Sequence, residues 1–375
     1  MINKQRLIKL TQQLIRINSE NPGGNEYEIA RFVKIYLDQL GLKTRIYEFQ
    51  KKRSNVIAVL EGKNKKCSLL ITPHLDTVPA GKNWTVNPFK GVIRQNKLYG
   101  LGATDCKSNL AVSMEVIRSL IEDKTQLSYN LIFAATSDEE SGSSLGLEPL
   151  LNKKILKPDV ALVLDADDFG IVVAQKGLIH CKIKLEGKKA HGAYPWLGVN
   201  AIDQAVDIIK KIKAYKFGVT KNKYLRDPTV NIGTIRGGDK VNVVADWCEF
   251  ELDLRFLPGD SAQKIIKDIK KIIQKSTSRF KIEIQGIQQP FAINTSHTLV
   301  SGLIKAMRAV KLEPRIEGSE GATTISFFQK KYIASIATGF GITGCAHIAD
   351  EYVEINNLYR GAQVLEKFLK EYKFN

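Results

Sequence analysis

Ser68-Leu-Leu-Ile-Thr72-Pro-His74-Leu-Asp76-Thr77 is an apolar run that stops at a histidine and a carboxylate two residues apart. A short continuous apolar run bounded by turn residues reads as a strand buried on both faces, the habit of a parallel sheet. Side chains alternate along extended chain, so positions two apart share a side. His74 and Asp76 can therefore serve one point, as a metal ligand and the acid that orients it. Alone, a His-x-Asp pair is more often surface decoration, but here the arrangement recurs. The run at 131–135 is followed by Asp138, Glu139 and Glu140, and the run at 160–164 by Asp165, Asp167 and Asp168. The run at 332–337 leads through Gly339, Gly341 and Gly344 to His347, Asp350 and Glu351.

Stretches of helical spacing lie between several of these runs, notably at 108–122. Together they predict an α/β fold, a mixed and mostly parallel sheet with helices on both faces. In open sheets of this kind ligands bind beyond the carboxyl ends of the strands. Every polar cluster named above falls on that edge. Asp105 joins them from the glycine-bearing loop Gly100-Leu-Gly-Ala-Thr-Asp105-Cys-Lys-Ser-Asn109. By itself it would read as a helix-capping acid.

Histidine and carboxylate donors without cysteine suit zinc, cobalt or manganese. Two histidines and three carboxylates exceed the needs of one four-coordinate ion with an open position. They suffice for two ions that share a bridging carboxylate, at the separation of roughly 3.5–4 Å found in two-metal hydrolytic sites. The doublet Glu139-Glu140 then divides its labour: one carboxylate binds an ion and the other takes a proton from the attacking water.

The motifs in chain order are His74-Leu-Asp76, the loop ending in Asp105, Asp138-Glu139-Glu140-Ser-Gly142, Asp165, Lys189-Ala-His191, Asn231 through Gly238, Asp253-Leu-Arg255 and Ala346-His347. In this order and over nearly the whole chain, the sequence resembles the zinc metallopeptidase and amidohydrolase family of acetylornithine deacetylase, succinyl-diaminopimelate desuccinylase, aminoacylase and glutamate carboxypeptidase. The resemblance implies that His74 and Asp165 bind one Zn2+, that Glu140 and His347 bind the other, and that Asp105 bridges them, with Co2+ or Mn2+ as substitutes. It implies that the ring of His74 donates a hydrogen bond to Asp76, that Glu139 is the general base, and that the Asp105-Cys106 peptide is cis. Asp167 and Asp168 stand close to Asp165, which is preferred because it ends its strand directly.

Between residues 178 and 289 the pattern changes. Alternation at 178–185, helical spacing at 200–212, strands at 229–235 and 243–256, a helix at 262–273 and alternation at 280–284 give the order βαββαβ, a ferredoxin-like unit. It interrupts a catalytic domain made of residues 1–177 and 290–375. The resemblance implies that the insert is a lid and dimerisation domain. It also implies that His191 stabilises the oxyanion in the partner subunit's site, and that Arg255 and Asn242 hold the substrate carboxylate. A strand-face ion pair with Asp253 or Glu251 is the plain alternative for Arg255. His180 and His297 match no motif.

The 375 residues suffice for two domains with full cores. Five scattered cysteines suggest reduced thiols rather than a disulfide framework. No long uncharged apolar stretch is present, and the amphipathic start with Lys4, Arg6, Lys9 and Arg16 is unlike a signal sequence; a cytoplasmic enzyme without membrane attachment is expected. A formal charge of +17 raises the rival of a nucleic-acid-binding protein. Its lysines are dispersed and lack interleaved aromatic platforms, so no specific nucleic-acid partner is expected. The reading that results is a homodimeric, two-metal hydrolase that removes the acyl group of a small N-acyl amino acid by a bridging hydroxide. A dipeptidase or glutamate-carboxypeptidase activity is the runner-up. Thr324 stands where many relatives carry an acid, and Ile325-Ser326 where the desuccinylases carry Gly-Arg, which weighs against a succinyl substrate.

Overall fold

The apolar runs become the central strands of a sheet, and strands without a clear sequence signature form its edges. In a computed structural model that describes residues 1–218, 221–321 and 323–374, the main strands are β1 (Thr44–Glu48), β2 (Ser54–Leu60), β3 (Ser68–Thr72), β4 (Asn130–Ala135), β5 (Val160–Leu164), β6 (Gly170–Gln175), β7 (Gly177–Glu186), β8 (Thr229–Gly237), β9 (Trp247–Phe256), β10 (Phe280–Gln288) and β11 (Ala334–Thr338). The chain divides into two compact units. One comprises Met1–Val173, Ile293–Glu317 and Thr323–Asn375; the other comprises Ala174–Ala292 and Gly318–Ala322.

The sheet of the first unit runs β1-β2-β4-β3-β5-β11-β6. Its middle is parallel: Ser68 pairs with Asn130, Leu69 with Val160, and Val160 with Ala334. The pairs β1–β2 and β2–β4 are antiparallel, as is the short contact of β11 with β6. Leu69, Leu70, Ile71, Leu162 and Leu164 are fully buried, each such side chain contributing about 1.5–3 kcal/mol of transfer free energy. Because β3, β4, β5 and β11 point the same way, their polar C-terminal extensions leave one edge together. The helix Lys107–Glu122 is buried nearly all round, packed between the helices Lys4–Ile15 and Ile355–Glu371. Among the described residues no helix is long and apolar enough to cross a membrane.

The second unit is a four-stranded antiparallel sheet in the order β8-β9-β7-β10. Its two central strands, β9 and β7, alternate strictly. Ile179, Cys181, Ile183 and Leu185 of β7 and Cys248, Phe250, Leu252, Leu254 and Phe256 of β9 face a core shared with the helices Ala201–Ala214 and Ala262–Gln274. The opposite face carries ion pairs such as Lys182 with Glu251 at 3.3 Å. The element order is βαββαβ. Strand β9 starts at Trp247 rather than at Val243. Val243 and Val244 instead donate their N–H groups to Lys240 and Ala190 carbonyls in a loop, which overrides their β-branched preference for a strand.

Candidate metal centre

Beyond the end of β3 the chain stays beside the continuation of β4. His74 bridges to Thr136, and Leu75 N–H donates to the Thr136 carbonyl at 2.8 Å. This pairing carries His74 and the loop Asp138–Gly142 out of the sheet side by side. His74 Nε2 lies 2.8 Å from Asp105 Oδ1 and 3.9 Å from Asp165 Oδ1. His347 Nε2 lies 3.2 Å from Asp105 Oδ2 and 3.1 Å from Glu140 Oε1. The two oxygens of Asp105 thus face one imidazole each. Donor atoms of His74, Glu139 and Asp165 fall within 4.8 Å of one another, and so do those of Asp105, Glu140 and His347. The structure brings His74, Asp105, Glu139, Glu140, Asp165 and His347 to one place, and the peptide Asp105-Cys106 is cis.

The electrostatics show what this cluster wants. Burial and then the charge of Asp105 push the Asp165 carboxyl up to about 7. Burial and then Asp165 raise Glu139 well above the usual range. Burial would also raise Asp105, but hydrogen bonds with His347 and His74 outweigh it and hold the carboxyl low. The same bonds, to Asp105 and Glu140, push His347 up to about 10. Crowded carboxylates that raise one another's pKa beside imidazole nitrogens suit divalent cations, which would take the place of the protons. Cys106 is also near: its sulfur accepts from His74 N–H at 3.2 Å, while burial pushes its thiol up to about 12.

Asp76 works differently from its expected place beside the imidazole. His74 Nδ1 sits 2.9 Å from the backbone carbonyl of Asp76 and 3.5 Å from its carboxylate. The carboxylate, fully buried, accepts the N–H groups of Glu139 and Glu140, each at 3.1 Å, and the Asn21 amide at 2.9 Å. Asp76 thus holds the acidic doublet by its backbone as well as standing near the ring.

Three further residues, Asn21, Glu26 and Arg53, support the same loop without having been marked by any motif. Arg53 donates to both oxygens of Glu26 at 2.8 Å and to Asp138 Oδ1 at 2.7 Å, all three side chains being buried. Asn21 reaches Asp138 at 3.4 Å. Asp138 takes a left-handed conformation, φ 65°, and its other oxygen accepts from Ser144 and from Leu145 N–H. Gly146 closes the loop where an added Cβ would stand 1.9 Å from the Ser137 carbonyl oxygen. Partners drawn from residues 21, 26, 53 and 138 are too far apart in the chain to leave a local pattern.

In the second unit His191 and Asn242 lie side by side, Gly192 N–H donating to the Asn242 carbonyl at 2.8 Å. Both are exposed. His191 Nδ1 accepts from Ala193 N–H at 3.0 Å, so the ring proton of the neutral imidazole resides on Nε2, free to donate. Arg255 makes a two-point pair with Asp253, Nε to Oδ1 at 2.7 Å and Nη2 to Oδ2 at 3.0 Å. This is the strand-face ion pair; Nη1 takes no part in it. His180 stands 3.4 Å from the same aspartate, and His297 caps the helix Thr298–Ala309.

A parallel sheet edge that assembles histidines and carboxylates into two adjoining donor groups defines a metal-dependent hydrolase. The chain belongs to the peptidase family M20/M25/M40, whose family model matches residues 70–371. It is 27% identical to acetylornithine deacetylase from Vibrio cholerae, with 94% of this chain and 93% of that protein covered. It is 25% identical to succinyl-diaminopimelate desuccinylase from Orientia tsutsugamushi, with 96% and 94% covered. Among solved structures it resembles a tripeptidase from Staphylococcus aureus, at TM-score 0.84 and 26% identity over 99% of this chain and 98% of that one.

Proposed function

We propose that this chain is a two-zinc amidohydrolase, a homodimer of the cytoplasm, that removes a small acyl group from the nitrogen of an amino acid. The observation that carries the reading is Asp105, whose two oxygens each face a different histidine. His74 and Asp165 would hold one ion, Glu140 and His347 the other, and Asp105 both. When bound, the ions would supply Lewis acidity and make water a nucleophile near neutral pH.

The chain's own residues do the remaining work. Glu139 takes the proton of the attacking water and delivers it to the departing amine. His191 presents Nε2–H to the carbonyl oxygen as charge develops there, in the site of a second subunit. Asn242 and the free Nη1 of Arg255 hold the substrate carboxylate. Ile325 and Ser326 are fully buried and carry no positive charge, which favours an uncharged acyl group such as acetyl over succinyl. A dipeptidase or glutamate-carboxypeptidase activity would use the same groups and is the second reading, favoured by the tripeptidase likeness.

Turnover of acetyl-, formyl- and succinyl-amino acids beside dipeptides and N-acyl glutamates separates these substrates. Dialysis against a chelator is expected to abolish hydrolysis and lower the Tm, and Zn2+, Co2+ or Mn2+ to restore both, because a ligand that binds only the folded state stabilises it. A chelated protein with undiminished turnover would refute the metal reading. For His191, removal of an oxyanion donor costs about 10²–10³ in kcat. His191→Ala and Glu139→Ala subunits, each inactive alone, should regain activity on mixing. Confirmed subunit exchange without recovery would count against action across the interface.

A further inference from the structure

Glu351 lies four residues beyond His347 and is 1% exposed. Its carboxylate accepts three backbone N–H groups of the Asp105 loop: Oε1 from Thr104 at 2.7 Å and from Asp105 at 2.9 Å, Oε2 from Gly102 at 2.8 Å. The Glu351 carbonyl accepts a fourth, from Gly100 N–H at 2.9 Å. The two loops are tied at other points too. Thr104 Oγ1 donates to the Tyr352 carbonyl at 2.7 Å and accepts from Ile342 N–H at 3.3 Å. Asn109 accepts from Phe340 N–H at 3.0 Å.

We infer that Glu351 is a positioning residue that sets the separation of Asp105 from His347, and with it the grip on the ion those two share with Glu140. The inference rests on the two-metal reading. An ionised carboxylate is suited to this place because it accepts at both oxygens and donates nothing. The amide of Asp105 itself is one of the bonded groups, so the backbone of the shared ligand is fixed directly from the loop that bears His347. The other donor group has its own anchors: His74 and Asp165 leave the ends of β3 and β5, which the sheet holds in register. Loss of Glu351 should therefore act unequally on the two ions. Glutamine at 351 keeps one acceptor oxygen but turns an NH2 group toward an N–H donor, Gly102 or the Thr104–Asp105 pair, and an unmade buried hydrogen bond is costly.

The test compares zinc binding by the parent, Glu351→Gln and Glu351→Asp, using competition with a chelating dye and metal content after dialysis, with the visible spectrum of the Co2+ forms as a second readout. Partners that orient metal ligands typically change affinity by about 10–100-fold. Glu351→Gln is expected to weaken the ion of Glu140 and His347 by that factor and the other, which shares only Asp105 with that loop, by less, with the Co2+ band of the first site altered more and Glu351→Asp intermediate. Two ions held at parental affinity, or both weakened equally, would overturn the inference. Should Glu351→Gln not fold, Glu351→Asp is measured in its place, and the same outcomes support or overturn the inference. A parent that binds fewer than two ions would sink the two-metal reading and this inference with it; a two-ion parent with an unaffected variant sinks this inference alone.

Discussion

Glu139→Gln should retain both ions, keep its Tm, and hydrolyse its best amide about 10²–10⁴-fold more slowly, the span that general-base groups usually supply. Glutamine matches the shape and keeps the backbone N–H that Asp76 accepts at 3.1 Å, so the loop is left standing while the proton acceptor is lost. Metal analysis beside kcat and KM checks it. The loss should fall on kcat, because the proton moves only as the transition state forms. A base must be ionised to act. Burial and the charge of Asp165 raise the Glu139 pKa, so activity is present above that pKa and lost as pH falls through it. Bound cations would pull the value down again. In Glu139→Gln this acidic limb of the pH profile should vanish. Normal turnover with both ions in place would remove Glu139 from its role.

What the sequence disclosed about the centre and what it hid follow one physical division. His74, Asp165 and the Glu139-Glu140 doublet come directly after buried apolar runs, and a parallel sheet delivers all its strand ends to one edge. Their convergence could be foreseen from periodicity and direction alone. Strands β7 and β9 were legible because one face meets water and the other the core, which writes the period of two into the sequence. Strand β1, with only Thr44 buried, lacks such a signature against its neighbour. Glu351 was visible as an acid, but nothing local distinguishes a carboxylate that caps backbone amides from one that faces solvent. Asp76 shows the same limit: its spacing from His74 predicted proximity, not the bonds to Glu139 and Glu140 that use its oxygens.

Arg53→Met should be the most destabilising single change outside the apolar core, costing about 3–5 kcal/mol, the range for removing one partner of a buried ion pair. Glu26 and Asp138 would be left facing one another in a buried site, since Arg53 binds Glu26 at 2.8 Å and Asp138 at 2.7 Å. Burial already raises the Glu26 pKa against the lowering effect of Arg53; without the guanidinium, backbone hydrogen bonds such as that from Asp138 N–H oppose the rise only weakly. A carboxyl whose folded pKa lies above its unfolded value contributes stability that is complete below the unfolded pKa and lost as pH rises through the folded one. The deficit of Arg53→Met relative to the parent should therefore be largest near pH 7 and shrink on acidification. Urea unfolding at neutral and mildly acidic pH measures this. Glu26→Gln added to Arg53→Met should recover part of the loss, because a neutral amide removes one uncompensated charge. The consequence reaches the chemistry through Asp138: once its Oδ1 loses the guanidinium and keeps only the longer bond from Asn21, the left-handed turn that presents Glu139 and Glu140 is held less firmly, and kcat should fall even at temperatures where the variant is folded. A loss below about 1 kcal/mol, the scale of exposed pairs, would show that the trio contributes no more than an exposed pair and that the acidic loop is held by its other bonds, to Asp76, Asn21, Ser144 and Leu145.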